Sequence, residues 1–151
     1  MKASRIYIHI PFCRKACIYC NFHFTTQLHS MSAFTEALTT EIHLRKEEFN
    51  TTYSSLYFGG GTPSTLSTEH INQIITALNQ YSKAQQNAEI TLEVNPEDVT
   101  SDRLNAWMNL GINRFSLGVQ SLNALELDWM GRTHSVTKIH EVMDMFKTHQ
   151  V

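Results

Sequence analysis

The 151-residue chain has no run of about 18 apolar residues, so nothing in it reads as a transmembrane helix. It also lacks charge of one dominant sign: 12 Lys and Arg stand against 14 Asp and Glu, a formal net charge of −2 that excludes any global attraction to nucleic acid or to an anionic membrane. There is no Gly/Ser linker, low-complexity tract or charge block to divide the chain into domains. The N-terminus passes directly into a short strand pattern and has no signal-peptide core, so a soluble cytoplasmic protein is expected. Cysteine is scarce as well. Only three occur, all in one window as Cys13-x3-Cys17-x2-Cys20, and an odd, clustered set cannot build a paired disulfide framework. Such thiols suit metal binding in a reducing compartment.

What is present is an alternation of short β-rich runs with longer stretches of helical period, the pattern of βα units on a parallel sheet. Strands are expected at residues 5–10, 55–58, 90–94 and 114–119. A first helix begins near Ser32 with Phe34, Leu38, Ile42 and Phe49 on one face. A second, capped by Ser67, turns Ile71, Ile74, Ile75, Leu78 and Tyr81 inward. The third uses Leu104, Trp107 and Met108 and ends at Gly111, a natural left-handed cap. The last follows Ser135, with Val136, Ile139, Val142, Met143 and Phe146 inward. Four βα units leave a sheet edge and helix faces without partners. The fold expected is therefore α/β, a partial TIM-like barrel, with residues 1–151 forming the N-terminal part of a larger core domain.

Barrels of this kind keep their chemistry at the carboxyl ends of the strands, which is where the distinctive residues fall. The three cysteines follow the first strand. Three thiolates are one short of a closed structural site, so a tetranuclear iron–sulfur cluster held this way keeps one iron open. The competing reading is zinc, with Cys20-x2-His23 completing a Cys3His set. Gly59-Gly60-Gly61-Thr62-Pro63 follows the second strand and permits close backbone approach to a polar ligand, without the Gly-Lys-Ser/Thr of a phosphate loop. Glu93 lies in the third strand pattern and Gln120 just after the fourth; each alone reads as an ordinary polar residue, but a barrel brings both to one mouth. Arg132, after Gly131, suits a carboxylate. The eight histidines form no H-E-x-x-H motif.

Tyr7-Ile8-His9-Ile10-Pro11-Phe12-Cys13, Cys17-Ile18-Tyr19-Cys20-Asn21-Phe22, Tyr57-Phe58-Gly59-Gly60-Gly61-Thr62-Pro63-Ser64, Leu92-Glu93-Val94-Asn95-Pro96-Glu97, Phe115-Ser116-Leu117-Gly118-Val119-Gln120-Ser121 and Gly131-Arg132-Thr133-His134-Ser135 stand in one order. Together they resemble the radical S-adenosylmethionine (SAM) proteins of the oxygen-independent coproporphyrinogen III oxidase family. The resemblance implies a [4Fe-4S] cluster on Cys13, Cys17 and Cys20, its open iron chelating SAM, and SAM contacts from Tyr7, Tyr19, Gly60, Gly61, Thr62, Glu93, Gln120 and Arg132. It implies reductive cleavage of SAM to methionine and a 5′-deoxyadenosyl radical, with an electron donor outside the chain. Porphyrinogen oxidases of the family resemble one another in a fourth cysteine, C-x3-C-x2-C-x-C, where this chain has Phe22. Asn21-Phe22 is similar instead to the haem-chaperone branch, which binds haem and passes it to accepting proteins.

Overall fold

The computed structural model describes residues 4–49 and 52–151. Four strands, β1 (Ser4–Ile10), β2 (Thr52–Gly60), β3 (Lys83–Val94) and β4 (Arg114–Leu117), form one parallel sheet in the order β1-β2-β3-β4. The helices between them are α1 (Met31–Leu44), α2 (Thr68–Asn79) and α3 (Ser101–Asn109), with α4 (Ala124–Trp129) and α5 (Val136–His149) after β4. This is the α/β, parallel βα architecture that the sequence pattern implies.

The strands alternate, and the alternation assigns the two faces of the sheet. Ile8, Ile10, Leu56, Phe58, Ile90, Leu92 and Val94 are buried in one core with Ile71, Ile74 and Leu78 of α2, Leu104 and Trp107 of α3, and Val142 and Phe146 of α5. On β4, Phe115 joins this layer, stacked on Phe146 at 5.3 Å between ring centroids. The opposite positions are polar or aromatic: the register aligns Tyr7 with Tyr57 and Tyr57 with Thr91, and pairs Glu93 with Ser116. The face away from the helices is thus built for contact with something other than hydrocarbon, and Tyr7 on it is 58% exposed.

Local chemistry sets the helix ends. Ser67 Oγ accepts from the His70 N–H at 3.1 Å, and Ser135 Oγ from the Lys138 N–H at 3.1 Å, each satisfying a donor that a helix start leaves unpaired. Gly111 takes φ +91° just beyond α3. Several expectations are corrected. β4 ends at Leu117, so Gly118 and Val119 belong to the loop that follows. β2 and β3 begin earlier than expected, at Thr52 and Lys83, because polar stretches extend the pairing along neighbouring strands. A register irregularity between Tyr53 and Ser55 reverses parity there, which is how both Tyr53 and Leu56 are buried. Phe49 lies past α1 but still packs on the core, and Met143, expected inward, is exposed. The sequence reading also missed α4. It is six residues long, and with only Leu127 buried it has no apolar stripe to reveal it.

Candidate cofactor site

β1 delivers its chain to the site through Pro11 and the buried Phe12. The loop that follows is closed at its base, where the Cys13 N–H donates to Thr25 O at 2.9 Å and the Thr25 N–H to Pro11 O at 2.7 Å. Inside the loop a tight turn brings the Cys20 N–H to Cys17 O at 3.1 Å. Cys13, Cys17 and Cys20 all line one cleft of about 70 Å³, together with Thr62, Asn95 and Arg132. Every element that contributes to this cleft does so from the carboxyl ends of the strands.

The glycine turn lies directly against the cysteine loop. Gly61 N–H donates to Ile10 O at 2.8 Å and Thr62 N–H to Phe12 O at 2.7 Å. A Cβ at Gly61 would stand 2.8 Å from Phe12 O and 3.0 Å from Cys13 Sγ, so only glycine allows this approach. Thr62 Oγ1 then donates to Cys13 Sγ at 3.4 Å. Burial pushes the Cys13 thiol above its ordinary pKa, opposed by that hydrogen bond and raised further by Cys20 and Cys17. Three thiols crowded in this way repel one another as thiolates, and a cationic metal group relieves that repulsion.

Glu93, at the end of β3, is held on both oxygens: Tyr57 OH donates to Oε1 at 2.7 Å and Gly60 N–H to Oε2 at 3.1 Å. Tyr7 stacks on Tyr57 with centroids 5.9 Å apart, and its hydroxyl shares a hydrogen bond with His9 Nδ1 at 3.2 Å. Burial is the first cause that raises the hydroxyls of both tyrosines; the second is the Glu93 charge for Tyr7 and the hydrogen bond to Glu93 for Tyr57.

Arg132 forms the opposite wall. The short α4 reverses the chain, with the Arg132 N–H returning to Leu127 O at 2.9 Å, and so turns the side chain back over the cleft. Its guanidinium donates to Asn95 Oδ1 at 2.6 Å, to Gly118 O at 3.3 Å and toward Cys17 Sγ at 3.7 Å, while Nε is buried without a partner among the described residues. Gly118 makes this convergence possible, since a Cβ there would meet Asn95 Oδ1 at 2.8 Å, the Gln120 amide at 3.3 Å and the Arg132 guanidinium at 3.6 Å. Gln120 itself is exposed and takes φ +64°. Glu97 secures the segment, accepting from Thr133 Oγ1 at 2.7 Å and pairing with the fully buried His134 ring at 3.1 Å. Burial alone would raise the Glu97 carboxyl, but hydrogen bonds from Thr133, its own backbone and His134, with the Arg132 charge, hold it below the usual range. Tyr19 stands at the rim, 43% exposed, its hydroxyl raised by burial and opposed by Arg132.

The expected residues thus fall into two adjoining groups. Cys13, Cys17, Cys20, Tyr19, Thr62 and Arg132 line the thiol cleft; Tyr7 lies with Gly60 and Glu93 on the open face beside it. Gly61 joins the two groups, and Gln120 reaches Gly118 at the edge. His23 does not complete a Cys3His set: its ring lies 6.4 Å from that of His9, and both line a separate cavity of about 670 Å³ along β1 and α1. Among the described residues no three His, Cys, Asp or Glu side chains converge as ligands of a single ion. A donor set of three thiols fits a polynuclear group, in which each thiol takes its own metal corner. The Arg132 Nε, without a partner among the described residues, fits an anionic ligand head beside it. Sequence reasoning missed the parts played by Tyr57, Asn95, Glu97 and His134. All four lie within or beside the quoted motifs, but only the fold shows that they hold Glu93 and Arg132 in place.

A parallel βα sheet thus carries three thiols, a glycine turn and a positioned arginine at its strand ends. The family model described as the radical SAM superfamily matches residues 7–151, and the chain belongs to that superfamily. It is 41% identical over 135 residues to zebrafish (Danio rerio) radical S-adenosyl methionine domain-containing protein 1, mitochondrial, covering 88% of this chain and 30% of that protein. It is 37% identical over 144 residues to the heme chaperone HemW of Synechocystis, covering 91% and 35%. Among solved structures, Escherichia coli coproporphyrinogen III oxidase (HemN), described as a radical SAM enzyme, superposes with a TM-score of 0.88 at 31% identity, covering 95% of this chain and 34% of that one. The chain spans about a third of the length of these relatives.

Proposed function

We propose that Cys13, Cys17 and Cys20 hold a [4Fe-4S] cluster, that Tyr7, Tyr19, Gly60, Gly61, Thr62, Glu93, Gln120 and Arg132 bind SAM, and that the protein binds haem and transfers it to haem-requiring proteins. One observation carries the cofactor reading: three thiols and an arginine whose buried Nε has no partner among the described residues share one cleft at the strand ends of a radical SAM fold. When bound, the two groups supply one-electron reductive cleavage of a sulfonium. The chain's own contribution is placement. Glu93, fixed by Tyr57 and the Gly60 amide, offers a rigid carboxylate to ribose hydroxyls; Arg132, fixed by Asn95, offers charge to a carboxylate. Tyr19 and Thr62 narrow the cleft and limit water around the thiols. The electron comes from a donor protein or reductant outside the chain, and a reducing cytoplasm suits the free thiols.

The haem reading rests on Phe22, 75% exposed where porphyrinogen oxidases of the family carry a fourth cysteine, and on similarity to a relative named as a heme chaperone. A second reading, oxidation of coproporphyrinogen III, is favoured by the 0.88 TM-score to HemN. The two part in one experiment on the full chain, reconstituted anaerobically with iron and sulfide. The chaperone reading expects stoichiometric haem binding and no protoporphyrinogen IX when coproporphyrinogen III, SAM and a reductant are supplied. Turnover of the porphyrinogen without haem binding would reverse the choice.

A further inference from the structure

Asp98 lies one turn beyond the end of β3, outside the cofactor cleft, yet three chain segments meet on it. Its side chain is 1% exposed. Arg14, from between the first two cysteines, donates Nε at 3.0 Å and Nη2 at 2.6 Å to Oδ1. Ser64, from the end of the glycine turn, donates Oγ to Oδ2 at 2.7 Å and accepts the Asn95 N–H at 3.2 Å. Arg103 of α3 approaches Oδ1 at 3.6 Å and donates to Asp98 O, Ser64 O and Leu66 O. A buried carboxylate needs compensation, but Arg103 and Ser64 already provide a cation and a hydrogen bond. Arg14 adds hydrogen bonds to Oδ1, where Arg103 stands at ion-pair distance only. Its side chain is 47% exposed with water available as an alternative, yet it is drawn across 84 residues of sequence into two hydrogen bonds with a buried group. Their shared acceptor ties the cysteine loop to the same point that holds Ser64 and, through Asn95, Arg132.

We propose that Asp98 is a positioning residue that, through Arg14, fixes the cysteine loop relative to the glycine turn and the Asn95–Arg132 pair. The inference rests on the cofactor reading above for its purpose, but its geometry is independent of any bound group. Arg14 is the residue to change, because its loss leaves Asp98 with Ser64 and Arg103, whereas loss of Asp98 leaves two cations unpaired near the core.

The test compares the full chain with its Arg14→Ala and Arg14→Lys variants. In the metal-free protein, amide exchange at Cys13, Thr25 and Thr62, whose N–H groups close the loop, accelerates at least about tenfold in Arg14→Ala, while exchange in α2 is unchanged. Arg14→Lys recovers part of the protection, since an ammonium restores the charge without the forked geometry. After anaerobic reconstitution, Arg14→Ala takes up less iron and sulfide, and the reduced-cluster EPR spectrum no longer shifts on adding SAM. Unchanged loop exchange overturns the proposal. So does acceleration spread equally over α2, which reports general destabilisation, or an EPR response to SAM identical to that of the unsubstituted chain. Failure of the unsubstituted chain to take up a cluster instead sinks the cofactor reading, and the exchange arm still decides the clamp.

Discussion

Glu93 and Arg132 act as residues because other side chains hold them still. Glu93→Ala removes the acceptor of both the Tyr57 hydroxyl and the Gly60 amide, so SAM affinity is expected to fall at least about tenfold with cluster content retained. Calorimetry on reconstituted protein checks this, and an unchanged affinity refutes the role. Cys17→Ala is expected to abolish the cluster while leaving helix content intact, because Cys17 contributes to no element and to no core contact. Stoichiometric iron and sulfide in that variant would remove Cys17 from the ligand set. Glu97 gives a pH dependence. Its folded pKa lies below the ordinary carboxylate value, so its contribution to stability is fully present above the unfolded value and is lost as pH falls through the lower folded one. Glu97→Gln is expected to flatten the acid limb of a melting-temperature profile below about pH 4.5 and leave its slope near neutrality unchanged. An identical acid slope in both proteins would contradict the assignment.

At the scale of elements, the stability of the α2 unit comes from its cap and from the layer beneath it. Ser67→Ala removes the acceptor of the His70 amide and is expected to cost about 1 kcal/mol in denaturant unfolding. Leu92→Ala, at a fully buried position in the sheet centre, is expected to cost about 2–5 kcal/mol, which sets the scale against which the cap is modest. Equal losses for the two would contradict the division between surface cap and core. The elements that the sequence revealed are those with this kind of signal. The apolar series Ile71, Ile74, Ile75 and Leu78 and the cap at Ser67 announce α2; alternation in β1 and β3 announces strands facing two environments. α4 gave no such signal. Leu125 and Trp129 are exposed and only Leu127 is buried, so the helix is set by the Asn123 cap and by the reversal that follows, not by periodicity. That omission bears on function, since α4 is what turns Arg132 back over the thiols. Met143 was misplaced for the opposite reason: it fits the period of α5, but the helix buries Ile139, Val142 and Phe146 and turns Met145, not Met143, against the core.

Across the whole molecule, the strand ends gather residues that are far apart in sequence. Cys13, Thr62, Asn95 and Arg132 come from four separate loops and meet around one cleft. The motif order made the chemistry legible, because the three thiols, the glycine turn and the arginine could each be named before the fold was known. The supporting contacts were not legible, because Tyr57–Glu93, His134–Glu97 and Arg14–Asp98 join polar residues with no spacing rule between them. Among the described residues no helix is long and apolar enough to cross a membrane. β1 and β4 each pair on one side within this sheet, and the face with Tyr7 and Glu93 lies open beside the thiol cleft.

Everything proposed for the site depends on the three thiols holding a cluster with one open iron beside a SAM site. Anaerobic reconstitution with iron and sulfide, followed by EPR of the dithionite-reduced protein with and without SAM, tests it most directly. A [4Fe-4S]⁺ signal whose g values change when SAM is added is the expected result. Well-folded protein that forms no cluster, or a cluster whose spectrum ignores SAM, would contradict it.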